Sequence, residues 1–221
     1  MVLAWSLMLA PVATVTAGLA QDEPTPVRLV QSGGGHASDS PTRYGWGFVL
    51  QNDNLAHAAT GIAYQVALFA GDRVARTATG SVDILFPGQR MGIAGRESLS
   101  EQERITGVAV QLDTRAFSPI DEEFRSKLAD NVVPVIPTAN VVYRAERFSS
   151  TVTGQVVNPF DATYRLVRVN AILYGADDAI VGGGFTYLNF INGLAWTPAE
   201  VTVVGGRPLR QELYVQLPPL R

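Results

Sequence analysis

The sequence contains no cysteine. Disulfides, thiolate metal centres, a cysteine nucleophile and a lipid-modified N-terminal cysteine are therefore all excluded. Stability in an oxidising compartment has to come from packing. Histidine is nearly as scarce, with His36 and His57 the only imidazoles. A zinc site takes three or four nitrogen, sulfur or oxygen ligands, and these two histidines, even with Asp39 or Asp53 beside them, do not share the spacing of ligands on one element. Charge is also thin, at 17% of residues and a net of −3. Nucleic-acid binding draws a clustered basic face, and neither that nor a block of like charge is present, so nucleic acid is not expected as a partner.

Catalytic constellations are missing too. Ser38, His36 and Asp39 are neighbours on one short stretch, too close in sequence to form a triad, and no Gly-x-Ser-x-Gly elbow occurs. Gly33-Gly34-Gly35-His36 continues into "ASDSPTR" rather than a Gly-Lys-Ser/Thr ending. It therefore reads as a flexible excursion between the first two strands and not as a phosphate loop. The triple glycine at 182–184 lies inside a strand pattern, where glycine marks a bulge or a close backbone approach. Two acidic groups, Asp121-Glu122-Glu123 and Asp177-Asp178, read as a helix-start set and a turn set. A glycosidase needs two carboxylates flanking a bond, which adjacent residues do not supply. Calcium in a crevice between domains is the one cofactor alternative, since loop carboxylates and carbonyls are its usual ligands. The expectation is a non-enzyme with no catalytic, cofactor-binding or metal-ligating residue.

Hydrophobic residues make up 47% of the 221, enough for a sizeable core. Residues 1–20 carry no charge, and "QDEPTP" follows. The run reads as a secretory signal cleaved after Ala20, or as an N-terminal membrane anchor. Either reading exports the remainder, and no later stretch has the roughly 18 uncharged apolar residues that a spanning helix needs. Beyond residue 23 the dominant signal is alternation. Ile62, Tyr64, Val66 and Leu68 share one side of an extended strand, as do Val167, Val169, Ala171 and Leu173.

These two strands belong to a long internal repeat. "YQVALFAGD" at 64–72 is answered by "VNAILYGAD" at 169–177, 105 residues later. Asn52 is answered by Asn158, Phe69 by Tyr174, Gly88 by Gly193, and "VAVQL" at 108–112 by "LYVQL" at 213–217. The period exceeds that of solenoid units, roughly 20–50 residues, and matches a small domain. About seven short strands per copy, separated by turn signals, predict an all-β chain of two tandem immunoglobulin-like β-sandwiches. The first copy is placed at 24–113, with strands near 26–31, 43–51, 60–69, 73–79, 81–86, 90–95 and 105–112. The second, at 139–221, has strands near 139–147, 150–157, 163–174, 178–184, 186–191, 199–204 and 211–217. The connector at 114–138 carries a helix-start signal at Ser118-Pro119, predicting a short helix over 119–130, and Pro134 and Pro137 then stiffen the chain.

The run "TVTGQVVNPFDATYRLVRVNAILYGADDAIVGGG" resembles the FxLYD family, bacterial extracytoplasmic immunoglobulin-like sandwiches. Gly154, Val156 and Asn158 fit its Gly-x-Val-x-Asn strand, and Leu173 and Tyr174 fit the end of its next strand, with Asp177 two residues beyond the expected acid. In the first copy Phe69 and Phe48 replace the Tyr and Gly of the pattern, so the likeness there is thin. The resemblance implies a fold and brings no catalytic residue.

Aromatics supply the remaining candidates. Tyr44, Trp46 and Phe48 alternate on one strand face, and Tyr187, Phe190 and Trp196 lie in the corresponding later region of the second copy. Such rings fill sandwich cores; where exposed they mark contact surfaces. Tyr44, Trp46, Tyr187 and Trp196 are the candidate partner contacts. The reading overall is an extracytoplasmic binding or structural module with a protein partner at the cell envelope. The alternatives are an accessory subunit of a membrane complex held by residues 1–20, and a carbohydrate-binding or carbohydrate-acting protein.

Overall fold

A computed structural model describes residues 23–120, 135–145 and 150–217. The leader at 1–20, the acidic triplet at 121–123 and nearly all of the helix expected over 119–130 lie outside the described residues. Among those described the chain is all-β, with one 3-10 turn at Ala176–Asp178 and no helix long and apolar enough to cross a membrane. The strands are β1 (Arg28–Ala37), β2 (Ser40–Gln51), β3 (His57–Ala70), β4 (Arg73–Leu85), β5 (Arg90–Ser98), β6 (Gly107–Pro119), β7 (Thr138–Ala145), β8 (Ser150–Val157), β9 (Tyr164–Tyr174), β10 (Ile180–Ile191), β11 (Trp196–Gly205) and β12 (Arg210–Gln216).

The pairing order is written twice. In the N-terminal half β1-β2-β5 form one antiparallel sheet and β4-β3-β6 the other. In the C-terminal half β7-β8-β11 and β10-β9-β12 repeat that order, and a short β10–β11 pairing at Gly182 and Gly183 joins them into one six-stranded sheet. The architecture is β-sandwich-like. Ile62, Tyr64, Val66 and Leu68 of β3 point into the first core, and Val167, Val169, Ala171 and Leu173 of β9 into the second. Each fully buried aliphatic of this kind contributes roughly 1.5–3 kcal/mol, so the two quartets hold the sheets face to face.

Each half has six strands where seven were expected, because the paired segments 73–79/81–86 and 178–184/186–191 are continuous as β4 and β10. Gly80 suggests a break, yet its missing side chain makes room for the Tyr64 ring, which a Cβ there would overlap. The β10 glycines likewise serve contact: Cβ atoms on Gly182 and Gly184 would strike the carbonyls of Val204 and Thr202. β6 also runs on to Pro119, past the expected connector boundary, pairing with β3 as far as His57.

The repeated asparagines are buried pins. Asn52 Nδ2 donates to the carbonyls of His57 (2.8 Å) and Leu85 (2.9 Å), and its Oδ1 accepts from the Asn54 N–H (3.2 Å). Asn158 Nδ2 donates to Ala162 (2.8 Å) and Asn192 (2.9 Å), and its Oδ1 accepts from the Phe160 N–H (3.1 Å). Both side chains tie the loop after one strand to the hairpin between two others. Buried polar groups require such partners. The backbone N–H groups of Asn52 and Asn158 bond to Gln89 and Ala195. This register makes Leu194, not the expected Gly193, the counterpart of Gly88. Both residues have left-handed backbone, with φ 69° at Gly88 and 51° at Leu194.

A third apolar cluster joins the halves. On β2 the inward rings of Tyr44, Trp46 and Phe48 alternate with Gly45 and Gly47, which point outward opposite Gly35 and Gly33 of β1. The middle of this outer face is thus bare of large side chains, with Gly33, Gly35, Gly45, Gly47 and Gly92 beside Ala94. The second half closes onto it: Cβ atoms on Gly33, Gly35 and Gly45 would overlap the carbonyls of Ile180, Val181 and Val204. Ile172, Tyr174 and Ile180 pack there with Val49 and Ala94. The triple-glycine segment at 33–35, expected as a flexible excursion, is accordingly a strand segment paired to β2 whose missing side chains permit backbone contact.

Candidate functional site

The four candidate aromatics do not form one patch. Tyr44 and Trp46 are buried in the first core, so neither can meet a partner; their inward alternation with outward glycine is the reason. Tyr187 (54% exposed) and Trp196 (62% exposed) are at the surface. They stand on the outer faces of the two opposed layers of the six-stranded sheet, because Tyr187 is paired with Arg168, between the inward Val167 and Val169, and Trp196 follows the opposite alternation to the inward Ala199, Val201 and Val203.

A dense polar cluster lies beside the junction of the halves. Glu212 of β12 accepts hydrogen bonds from Arg210, from Tyr214 and, at 3.0 Å, from the Tyr174 hydroxyl, which is 3.1 Å from that of Tyr214. Arg210 also lies over the Tyr174 ring at 3.8 Å and donates to Asp178 at 2.9 Å. Burial pushes the Tyr174 hydroxyl up to about 12, and burial with the Tyr174 and Glu212 neighbours raises Tyr214 as well. Both phenols stay protonated donors at neutral pH. A carboxylate so occupied has its lone pairs committed; the cluster is a clamp that holds Tyr214 over Gly92 of β5, where a Cβ would strike the ring.

At the Asp177-Asp178 turn, Asp178 is engaged by Arg210. Asp39 and Asp53 are likewise held, by Arg43 and Arg28. Among the described residues no group of three or more His, Asp or Glu is placed to hold a metal ion. His36 does not sit in a loop: its ring nitrogens contact the carbonyls of Pro41 (2.8 Å) and Ile105 (3.3 Å) within the N-terminal half.

What the sequence candidates did not capture is a concentration of exposed apolar side chains at one end of the C-terminal half. There the β8–β9 loop meets the β10–β11 hairpin through the Leu194 N–H to Phe160 carbonyl bond (2.7 Å). Leu166 (66% exposed), Phe190 (56%) and Leu194 (74%) join Trp196 in this region. Leu166 and Leu194 both hold left-handed backbone, φ 52° and 51°. That conformation costs a branched residue about 1–2 kcal/mol, so the side chains are presented at the expense of stability. Beside them an open cleft of about 520 Å³ is lined by Thr163, Arg165, Asn189, Phe190 and Asn192. The signal was available in the sequence as an uninterrupted neutral stretch: from Ala179 to Ala199 there is no Asp, Glu, Lys, Arg or His.

Comparisons with known proteins add little. No family model matches the chain and no curated protein does. Among solved structures, that of red sea bream transglutaminase aligns at 14% identity with a TM-score of 0.29, covering 85% of this chain and 29% of that one. This chain therefore spans less than a third of that protein's length.

Proposed function

We propose that the protein is a non-enzymatic binding module: two tandem immunoglobulin-like sandwiches locked into one rigid body, working outside the cytoplasm at the cell envelope and recognising a protein there. The observation that carries this reading is the apolar end of the second sandwich. Four large apolar side chains, Leu166, Phe190, Leu194 and Trp196, are each more than half exposed there. Two of them sit on strained backbone. Strain of this kind persists where surrounding structure holds it and gathers at functional sites. Leu, Phe and Trp beside an arginine and two asparagines make an apolar centre with a polar rim, the usual anatomy of a protein contact.

Several features support the remaining parts. The repeated strand order and the repeated asparagine pins favour a duplicated immunoglobulin-like unit, as does the likeness to the FxLYD pattern at Gly154, Val156, Asn158, Leu173 and Tyr174. The uncharged leader favours export. A saccharide platform wants its rings in one row, whereas Tyr187 and Trp196 stand on opposed layers of the sheet.

The test is capture from native envelope by the exported protein and by a Leu194→Asp/Trp196→Ala variant. Specific protein capture that the variant loses is the expected result. Capture unchanged in the variant, or none by the wild type, overturns the reading. Intact mass of the exported protein reads the fate of residues 1–20 directly, and retention of that segment favours an accessory subunit held at a membrane.

A further inference from the structure

We infer that the protein recognised at this surface is a second copy of the same chain, added edge to edge along β10. The inference rests on the protein-recognition reading above and names its partner. It starts from the β10 ladder. β10 pairs with β9 from Ile180 to Ile191, but with β11 only at Gly182 and Gly183. Among the described residues, the other edge of 184–191 therefore pairs with no strand. A row of unpaired N–H and C=O groups is a template for another strand, and strand addition is a common mode of protein recognition.

Edge strands that must remain single are guarded by charge, proline or a bulge. The counterpart in the N-terminal half is guarded in this way. β4 is also an outer strand, paired only with β3, and it carries Arg73, Arg76 and Asp83. β10 and the hairpin beyond it carry no charge at all from Ala179 to Ala199. The segment "FTYLNFI" is rich in aromatic and β-branched residues, which suit a strand, and it leaves Tyr187 and Phe190 more than half exposed.

The neutrality selects the occupant. An edge meant for one particular foreign strand would fix its register and exclude others by charge, and this edge has none to read. With no charge, proline or bulge along 184–191 to prevent it, every molecule of this chain presents the same open edge, and another copy is the partner that brings a matching one. Antiparallel pairing about a two-fold axis is isologous, so a single such contact closes into a dimer. It would extend β12-β9-β10 into a sheet running across both copies and, according to the register, bring either Tyr187 or Phe190 against its own copy, an aromatic pair that stabilises a sheet.

The experiment is sedimentation equilibrium of the full exported protein from about 1 to 100 µM, the range in which a modest dimer declares itself. It is run with Tyr187→Lys, Asn189→Lys and the β4 control Thr77→Lys. Concentration-dependent dimerisation weakened at least tenfold by both β10 variants and unchanged by Thr77→Lys is expected. Amide exchange on the wild type, which needs no variant to fold, should slow across 184–191 as concentration rises. A monomer throughout the range, or a dimer indifferent to both β10 charges, overturns the inference. If such a monomer still captures a different envelope protein, and Asn189→Lys abolishes that capture, the second copy is wrong while the recognition surface stands. If neither self-association nor capture occurs, both readings fall.

Discussion

The two halves of this chain share a strand order and differ in what they leave uncovered. The N-terminal half turns a face with a glycine-lined centre outward and has it covered by the C-terminal half. The C-terminal half covers that face with Ile172, Tyr174 and Ile180 and leaves its own far end apolar, exposed and strained. Gly88 takes left-handed backbone at no steric cost, whereas its counterpart Leu194 holds the same conformation with an exposed side chain. β4 is charged and β10 is neutral. At these two places the N-terminal half keeps the locally stable solution, while the C-terminal half gives up local stability for surface. The lesson is that equivalent positions in a repeat separate scaffold from function where one copy breaks a rule that the other obeys.

The comparison breaks most completely at the junction. Gly45→Val places a branched side chain into the Val204 carbonyl. The expected cost exceeds about 4 kcal/mol, and calorimetry should show one cooperative transition splitting into two as the halves separate. A single transition with an unchanged midpoint would mean that the glycine face is not in contact. Next come the pins. Asn52→Ala and Asn158→Ala each remove a buried side chain that ties two backbone carbonyls together, and a loss of about 1–3 kcal/mol is expected for each by urea unfolding. Losses that differ widely would show that the repeated geometry does unequal work in the two copies.

Smaller effects sharpen the contrast at the strained position. Leu194→Gly should stabilise the protein by about 1 kcal/mol by relieving left-handed backbone, and Gly88→Ala should destabilise it by a similar amount. Thermal midpoints moving in opposite directions are the check, and a drop for Leu194→Gly would deny the strain. The mildest probe is pH. The Tyr174 hydroxyl is held above its ordinary value of 10.0, up to about 12, chiefly by burial. Its neutral form is favoured in the folded state, so the stability it confers is whole below pH 10 and is lost as pH rises through about 12. Ultraviolet absorbance of phenolate should therefore appear late, together with loosening of the clamp around Glu212. Phenolate forming fully near pH 10 with the fold intact would contradict that burial.

Much of the scaffold was legible in the residues. Alternation located β3 and β9 together with their inward quartets, and the spacing of Asn52 and Asn158 marked a structural equivalence before any fold was known. Gly193 was matched to Gly88 because residue type suggested it, while the backbone hydrogen bonds choose Leu194. Aromatic identity alone marks Tyr44 and Trp46 as contact candidates, because it does not say which face is covered. The better signal stood between them: Gly45 and Gly47 alternate with the rings, so a face of rings is backed by a face with no side chains, which only a close neighbour makes useful. The neutral run from 179 to 199 was equally open to reading, though an absence of charge has meaning only once the strand is known to lie at an edge.

By itself the sequence determined the β character of the chain, its internal repetition and the inward sides of its central strands. Periodicity and local turn chemistry act over a few residues and need no distant partner. Tertiary structure alone decided which glycines touch a foreign backbone, which aromatics are hidden and which strand edge stays open. Those depend on what arrives from far along the chain, and no local pattern carries that information.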